Sequence, residues 1–370
     1  MAELSEAMRA LVQPHLTGIE PYDPNFTPTR INLSANENTY PVPDGVRAKI
    51  DAALAATPLN RYPDPMSNEL RAELARWHGV APEQVCVGNG GDELLFNFLF
   101  AFGGPGRMLS VCPPCFAEYS FFASLTQTPL REVWLDPKTF AVDEDALLAA
   151  AHESNLVILT SPNNPTGGLV PVDLVRRVCE ACPGLVMVDE AYGEFAPEGA
   201  SVLPLLAETP NLVVLKTLSK AFGAAGIRCG YVIASPEIIE VFGAVRQIYS
   251  VNVLTQAAAL AAVRERDAYL AVVEQVRSER ARLLRELPAL AGGERVQVWP
   301  SEANFLLVRM EGASEVRRRL RDEFSILVRD FSYAPGLTDC LRITVGTPEE
   351  NDAVLAALRA ISSTQGKDER

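Results

Sequence analysis

Seven short apolar runs punctuate the chain between Gln84 and Ala234: "QVCV", "RMLSV", "LREVWL", "LVILT", "GLVMV", "NLVVL" and "CGYVIA". Between several of them the apolar positions recur with helical spacing, as in "DEDALLAAAHES" (Asp143 to Ser154) and "VDLVRRVCEAC" (Val172 to Cys182). Runs that are apolar throughout, alternating with amphipathic helices, predict an α/β fold with a mainly parallel sheet buried between helices. Beyond Val251 the pattern becomes one long helix, "TQAAALAAVRERDAYLAVVEQVRSERARLLREL". After Gly293 come strand-like "RVQVWP" and "ANFLLVRM", helical "ASEVRRRLRDEF", strand-like "SILVRD" and "LRITVG", and a last helix from Pro348, a smaller α+β unit. The expected division is an N-terminal segment over 1–40 lying on the small domain or a partner, a large domain over 41–275 and a small domain over 276–370.

A length of 370 residues agrees with two domains, because it exceeds what one compact core usually holds. Apolar residues at 48% and charged residues at 22% exclude a disordered chain. A net charge of −14 argues against nucleic acid and anionic membrane surfaces as partners. "LLFNFLFAF" falls short of a membrane span because Asn97 and the following glycines interrupt it. Glu3 and Glu6 stand where a signal peptide would carry basic residues, so a cytoplasmic protein is expected. The arginine-rich "VRRRLRDEF" is diluted by acids and reads as a solvated helix face. "CPPC" (112–115) and "CEAC" (179–182) are too far apart for a zinc ribbon, and no metal site is expected.

The chemistry gathers where strands end. "QVCV" runs into "GNGGDE", "RMLSV" into "CPPCF", "LVILT" into "SPNNPTGG", "GLVMV" into "DEAYGEF" and "NLVVL" into "KTLSKAFG". Open α/β sheets build their ligand sites beyond these carboxyl ends, so one shared site is implied. The glycines of "GNGGDE" let backbone N–H groups approach an anion at a helix N-terminus, and Thr217, Ser219 and Arg228 are candidates to complete a phosphate cradle. Lys220, near a cationic neighbour, has the setting of a Schiff-base lysine. Asp189 closes the apolar run "LVMVD", and a carboxylate delivered there needs a cationic partner such as a pyridinium nitrogen. Tyr192 and Asn164 can reach a phenolate oxygen, and Phe116 can stack on a flat ring. Singly, each fits turn or packing chemistry better: "NPTG" is a sound turn signal, and a Phe after prolines usually fills core.

Together these segments resemble the fold-type I pyridoxal-phosphate-dependent aminotransferases, and within them the histidinol-phosphate aminotransferase family. The resemblance is carried by "NLSANENTY", "NRYPDP", "VGNGGDELL", "SPNNPTGG", "VDEAYGEF", "TLSKAFGAAGIRCGY", "VNVLTQAAA", "PSEANFLLVR" and "LRITVGTPEEN", in family order from Asn32 to Asn351. It implies a large domain with a mainly parallel seven-stranded sheet between helices, plus the smaller α+β domain. It also implies that Lys220 carries pyridoxal 5'-phosphate as a Schiff base and moves the substrate proton, while Asp189 pairs with the ring nitrogen. Tyr192 and Asn164 would hold the ring oxygen, and Phe116 would stack where the family usually has tyrosine. The amides of Gly91 and Asp92, with Thr217, Ser219 and Arg228, would bind the phosphate. Tyr62 would reach the phosphate of a neighbouring subunit, which implies a homodimer. Tyr22, Arg329 and Arg342 match family residues that bind the donor's anionic group. The implied reaction takes an amino donor, histidinol phosphate, and a 2-oxo acid, 2-oxoglutarate, to imidazole-acetol phosphate and glutamate. Departures at "NENTYPVP" and Cys115-Phe116, and the aromatics Phe331 and Tyr333, keep an aromatic amino-acid donor open as an alternative, with a threonine-phosphate decarboxylase behind it. A non-catalytic, cofactor-binding regulator would need a DNA-binding module for which the chain has no spare length.

Overall fold

The computed structural model describes residues 5–19, 27–291 and 296–368. Its strands are β1 (Ile31–Leu33), β2 (Val85–Gly88), β3 (Leu109–Val111), β4 (Leu130–Glu132), β5 (Leu156–Thr160), β6 (Leu185–Asp189), β7 (Leu212–Thr217), β8 (Gly230–Ala234), β9 (Val296–Val298), β10 (Phe305–Met310), β11 (Ile326–Asp330) and β12 (Cys340–Thr344). The large sheet has the order β2-β8-β7-β6-β5-β3-β4. β4, β3, β5, β6 and β7 run parallel, and β8 lies antiparallel to both β7 and β2. Two reversals restore the direction, so β2 points the same way as β7. The carboxyl ends of β2, β3, β5, β6 and β7 therefore share one edge.

Side chains on a strand alternate between faces, and here both faces are covered. Leu156, Ile158, Met187, Val213 and Leu215 pack with Leu94, Leu95 and Phe98 of the helix Gly90–Phe102 and with Phe242 of the helix Pro236–Val245. Their neighbours Val157, Leu159, Val186, Val188 and Val214 pack on the opposite side with Leu147 of the helix Glu144–His152 and with Leu174 and Val178 of the helix Val172–Ala181. Each such buried side chain contributes roughly 1.5–3 kcal/mol, which makes the sheet a rigid platform for whatever its edge carries.

The smaller sheet has the order β1-β11-β12-β10-β9. Only β1 pairs in parallel, with β11; the other pairs are antiparallel. The register sets Arg329 directly opposite Arg342. Residues 31–33 of the N-terminal segment thus join the C-terminal sheet, and the chain that follows them heads for the large sheet.

One expected element differs. The long helix after Val251 is two, Val253–Arg264 and Arg266–Glu286, parted at Glu265 (φ −106°, ψ 22°). The first packs on the helices Asp44–Ala55 and Asn68–His78, whereas the second packs on β10 and on the final helix from Pro348. Arg264 and Arg266 both turn toward the helix Asn68–His78, where they pair with Glu69 (2.7 Å) and Glu73 (3.6 Å). Glu265 pairs with Lys49. Three consecutive charged side chains anchored on neighbouring helices offer no apolar stripe to hold a straight continuation. The 275/276 division falls inside the second helix, so a continuous helix makes the passage toward the small sheet.

Candidate active site

The edge shared by the five strand ends carries a buried acid at its middle, where β6 ends. Asp189 is 4% exposed; its Oδ2 accepts from the Tyr119 hydroxyl (2.7 Å) and its Oδ1 from the Ala191 N–H (2.9 Å). Burial pushes its carboxyl up to about 6, while those two donors oppose the rise and the carboxylates of Asp92 and Glu190 add to it. A carboxyl in this position gains strongly from a cation placed against it.

The β2 side of the edge is built for an anion. The helix Gly90–Phe102 begins without a side-chain cap, which leaves first-turn amides, including those of Gly91 and Asp92, to serve a ligand. Gly90 has φ +83°, and a Cβ there would collide with the Arg228 guanidinium. A Cβ on Gly230 would lie 2.6 Å from the Gly90 carbonyl carbon and 2.7 Å from the Gly91 nitrogen. Backbones and guanidinium can approach this closely only because those side chains are missing. Arg228 pairs with Asp92 at 2.9 Å. The Thr217 hydroxyl donates to the Cys229 carbonyl (3.1 Å), lies 3.0 Å from Ser219 Oγ and accepts from the Ser219 N–H (3.1 Å).

Three consecutive residues after β1 touch three predicted site residues. Ser34 O accepts from Arg342 Nη2 (2.6 Å), Ala35 O from Lys220 Nζ (3.0 Å), and Asn36 Nδ2 donates to the Tyr192 hydroxyl (2.9 Å). Asn36 has φ 54°, and its Oδ1 accepts from Thr344 Oγ1 (3.1 Å). Lys220 Nζ is 5.8 Å from the Tyr192 ring centroid. Arg342 Nη1 donates to Asn164 Oδ1 (2.6 Å), and the guanidinium carbon lies 5.4 Å from the Phe305 ring and 5.3 Å from the Phe331 ring. Arg329, half-buried, shares the sheet face of Arg342 as its cross-strand neighbour. Tyr333 stacks on Phe331 but is 73% exposed.

Below these groups Lys216 is fully enclosed, with Nζ 3.0 Å from Glu190 and 3.1 Å from Glu194. Burial alone would depress the ammonium, and the facing carboxylates of Glu194 and Glu190 outweigh it, holding the group above the ordinary lysine value. This cluster pins the turn that carries Asp189 and Tyr192.

Phe116 is half-buried, with its ring edge-on to Tyr119 (5.7 Å, 87°). Tyr62 is 81% exposed and stacks on Tyr249 at 4.7 Å. Tyr22 lies outside the described residues. Asn36, Tyr119 and Lys216 were not singled out in the sequence. Asn36 lies in "NLSANENTY" without a spacing that ties it to Tyr192, and Lys216 is the residue before Thr217 in "KTLSK". Nothing in the sequence near Tyr119 marks it as a partner of an aspartate 70 positions away.

Uncapped amides, hydroxyls and a guanidinium around a glycine cradle, a lysine amine, and a buried acid make a donor set that fits a cationic aromatic ring bearing a phosphate. Comparison with known proteins agrees. The family model for aminotransferase class I and II matches residues 28–358. The chain is 36% identical over 354 residues to a histidinol-phosphate aminotransferase of Caldanaerobacter subterraneus subsp. tengcongensis, covering 95% of this chain and 99% of that one. It is 41% identical over 363 residues to one of Frankia casuarinae, covering 93% and 88%. The crystal structure of histidinol-phosphate aminotransferase from Sinorhizobium meliloti in complex with pyridoxal-5'-phosphate superposes with a TM-score of 0.85 at 27% identity, covering 96% of this chain and 98% of that one.

Proposed function

Because this chain belongs to the class I and II aminotransferase family, we propose that it uses pyridoxal 5'-phosphate to move the amino group of histidinol phosphate to 2-oxoglutarate. The products are imidazole-acetol phosphate and glutamate, a step of histidine biosynthesis. The observation that carries the reading is the Arg342–Asn164 bond: an arginine suited to a substrate anion touches an asparagine suited to a ring oxygen. Donor recognition and cofactor recognition are thereby neighbours.

Bound pyridoxal phosphate supplies an electron sink for the pair left when a carbon–hydrogen bond breaks. The residues of this chain do the rest. Asp189, ionised, holds the positively charged ring nitrogen, and Tyr192 and Asn164 bind the ring oxygen. Phe116 covers a ring face. The amides of Gly91 and Asp92, with Thr217, Ser219 and Arg228, hold the phosphate. Lys220 would hold the cofactor through Nζ, and the same atom, when free and neutral, would take the proton from the donor's α-carbon and return it. Arg342 and Arg329, with Tyr22, bind the donor's phosphate or the carboxylate of glutamate, since a pair of guanidinium forks serves either anion.

Gly90→Ala tests the cradle. The added methyl displaces Arg228 and strains a position with φ +83°, so cofactor affinity is expected to fall at least about tenfold in an equilibrium titration. Affinity equal to wild type would move the phosphate elsewhere.

Exposed Leu59, Tyr62, Ile248 and Leu254 are among the large apolar side chains left uncovered in the single chain. A cytoplasmic homodimer accounts for them, with Tyr62 reaching the phosphate of the other copy.

The donor is tested by adding histidinol phosphate or phenylalanine, without acceptor, to the cofactor-loaded protein and following its absorbance. Histidinol phosphate is expected to react at far lower concentration; the reverse order would assign an aromatic amino-acid donor. Arg342→Ala is expected to lower kcat/KM for histidinol phosphate by roughly 10²-fold or more, mostly through KM, because a charge-assisted bidentate contact is lost. An unchanged half-reaction would remove Arg342 from the donor site.

A further inference from the structure

Tyr119 is fully buried, and its hydroxyl joins two polar side chains: Asp189 Oδ2 at 2.7 Å and Thr160 Oγ1 at 2.8 Å. Thr160 and Asp189 are register neighbours at the ends of β5 and β6, so the phenol bridges two strand ends. Proton counting sets the direction of both bonds. A phenol has one hydrogen and an ionised carboxylate has none. With Asp189 ionised, Tyr119 donates to it and Thr160 must donate to Tyr119, which polarises the phenol and strengthens its own donation.

The surroundings make that donation matter. Asp189 faces the carboxylates of Asp92 and Glu190 as well as the loss of water, and all three push its carboxyl up. Tyr119 and the Ala191 N–H oppose them. Tyr119 does not ionise in exchange, because burial, first, and the facing Asp189 raise its phenol well above the ordinary value. With one donor on each oxygen the carboxylate plane is fixed, and its remaining lone pairs are free for a cation.

Resting on the functional reading above, we infer that Tyr119 is a positioning residue of the reaction: its hydroxyl keeps Asp189 ionised and oriented toward the cofactor's ring nitrogen. Phe116, in edge contact with Tyr119, stands three residues earlier. A single short stretch of chain would then supply both the ring's stacking face and the donor that conditions its acid.

The test uses full-length protein loaded with pyridoxal phosphate. Tyr119→Phe removes one oxygen and is expected to raise the cofactor dissociation constant on the order of tenfold, the loss of a charge-assisted hydrogen bond. Asp189 then protonates more readily, so the pH below which cofactor uptake weakens moves up. kcat falls while KM for the donor stays within about twofold, since no donor contact is touched. In an Asp189→Asn background the same substitution is expected to add little, because an amide has no ionisation to protect. Thr160→Val should move affinity and pH midpoint in the same direction by a smaller factor, and it decides the matter if Tyr119→Phe does not fold. Wild-type affinity and pH midpoint in Tyr119→Phe, or in Thr160→Val, overturn the role, as do fully additive losses in the Asp189→Asn background. Those results leave the aminotransferase reading intact provided wild-type protein binds cofactor and transaminates. Wild-type protein that does neither overturns both.

Discussion

Replacing Lys220 by alanine is expected to lower the rate of the donor half-reaction by at least about 10³-fold, with the fold retained. Two functions reside in one atom. On the proposed reading Nζ would hold the cofactor and, when free, would carry the α-proton; positioned general acid–base catalysis alone is worth about 10²–10⁴. The structural cost is small, because Lys220 is half-buried and its hydrogen bond runs to a single backbone carbonyl, that of Ala35. A lost hydrogen bond of this kind costs roughly 0.5–1.5 kcal/mol. Lys220→Arg should fare no better, since a guanidinium stays protonated at neutral pH and cannot accept the proton. Single-turnover absorbance measurements with histidinol phosphate check this. A half-reaction within tenfold of wild type in Lys220→Ala would require another base.

Lys216→Met is expected to act on stability, by about 3–5 kcal/mol. The substitution keeps an unbranched side chain of nearly the same length and removes the ammonium that Glu190 and Glu194 share at 3.0 and 3.1 Å. Glu190 retains the Ser201 hydroxyl and the Val202 N–H as donors, so Glu194 is left the more exposed to the loss. Two buried carboxylates without a cation repel each other and lack solvent, and breaking a buried pair on one side is costly for that reason. The sign with pH is set by the raised ammonium. Its contribution is complete below the ordinary lysine value of 10.5 and is lost as pH rises through the higher folded value, so the deficit should be present throughout the neutral range. Thermal and urea unfolding of the cofactor-free protein measure it. A change below about 1 kcal/mol would mean that the cluster relaxes or takes up water when opened. Because the turn between Asp189 and Phe195 rests on this cluster, cofactor affinity should fall together with stability.

The elements were legible because they rest on local pattern. "LVILT", "GLVMV" and "NLVVL" are apolar at every position, and a strand buried on both faces needs that composition whatever its neighbours are. Their polar sequels could be assigned to one sheet edge for the same reason. The direction of β8 was not legible: "CGYVIA" is as apolar as its parallel neighbours, and only pairing with β7 and β2 reveals that it runs the other way. The break at Glu265 was hidden because "VRERDAY" keeps helical propensity throughout, and the ion pairs that turn the chain reach residues such as Glu69 and Lys49, 195 and 216 positions from their partners.

The sequence by itself determined the chemical inventory: a lysine after a strand, an acid at the end of an apolar run, glycines before a helix and two arginines in the C-terminal strands. Periodicity and residue type are properties of neighbouring positions, so they survive without coordinates. Tertiary structure alone decided which of these groups meet. Arg342 bonds to Asn164 across 178 positions, Asn36 to Tyr192 across 156, and Tyr119 to Asp189 across 70. A hydrogen bond is satisfied over about 3 Å and is indifferent to separation along the chain. No local pattern can encode such a pairing: Tyr119 meets Asp189 only when its helix packs on the large sheet, and the other two are defined only when the two sheets pack and the chain after β1 passes from one to the other.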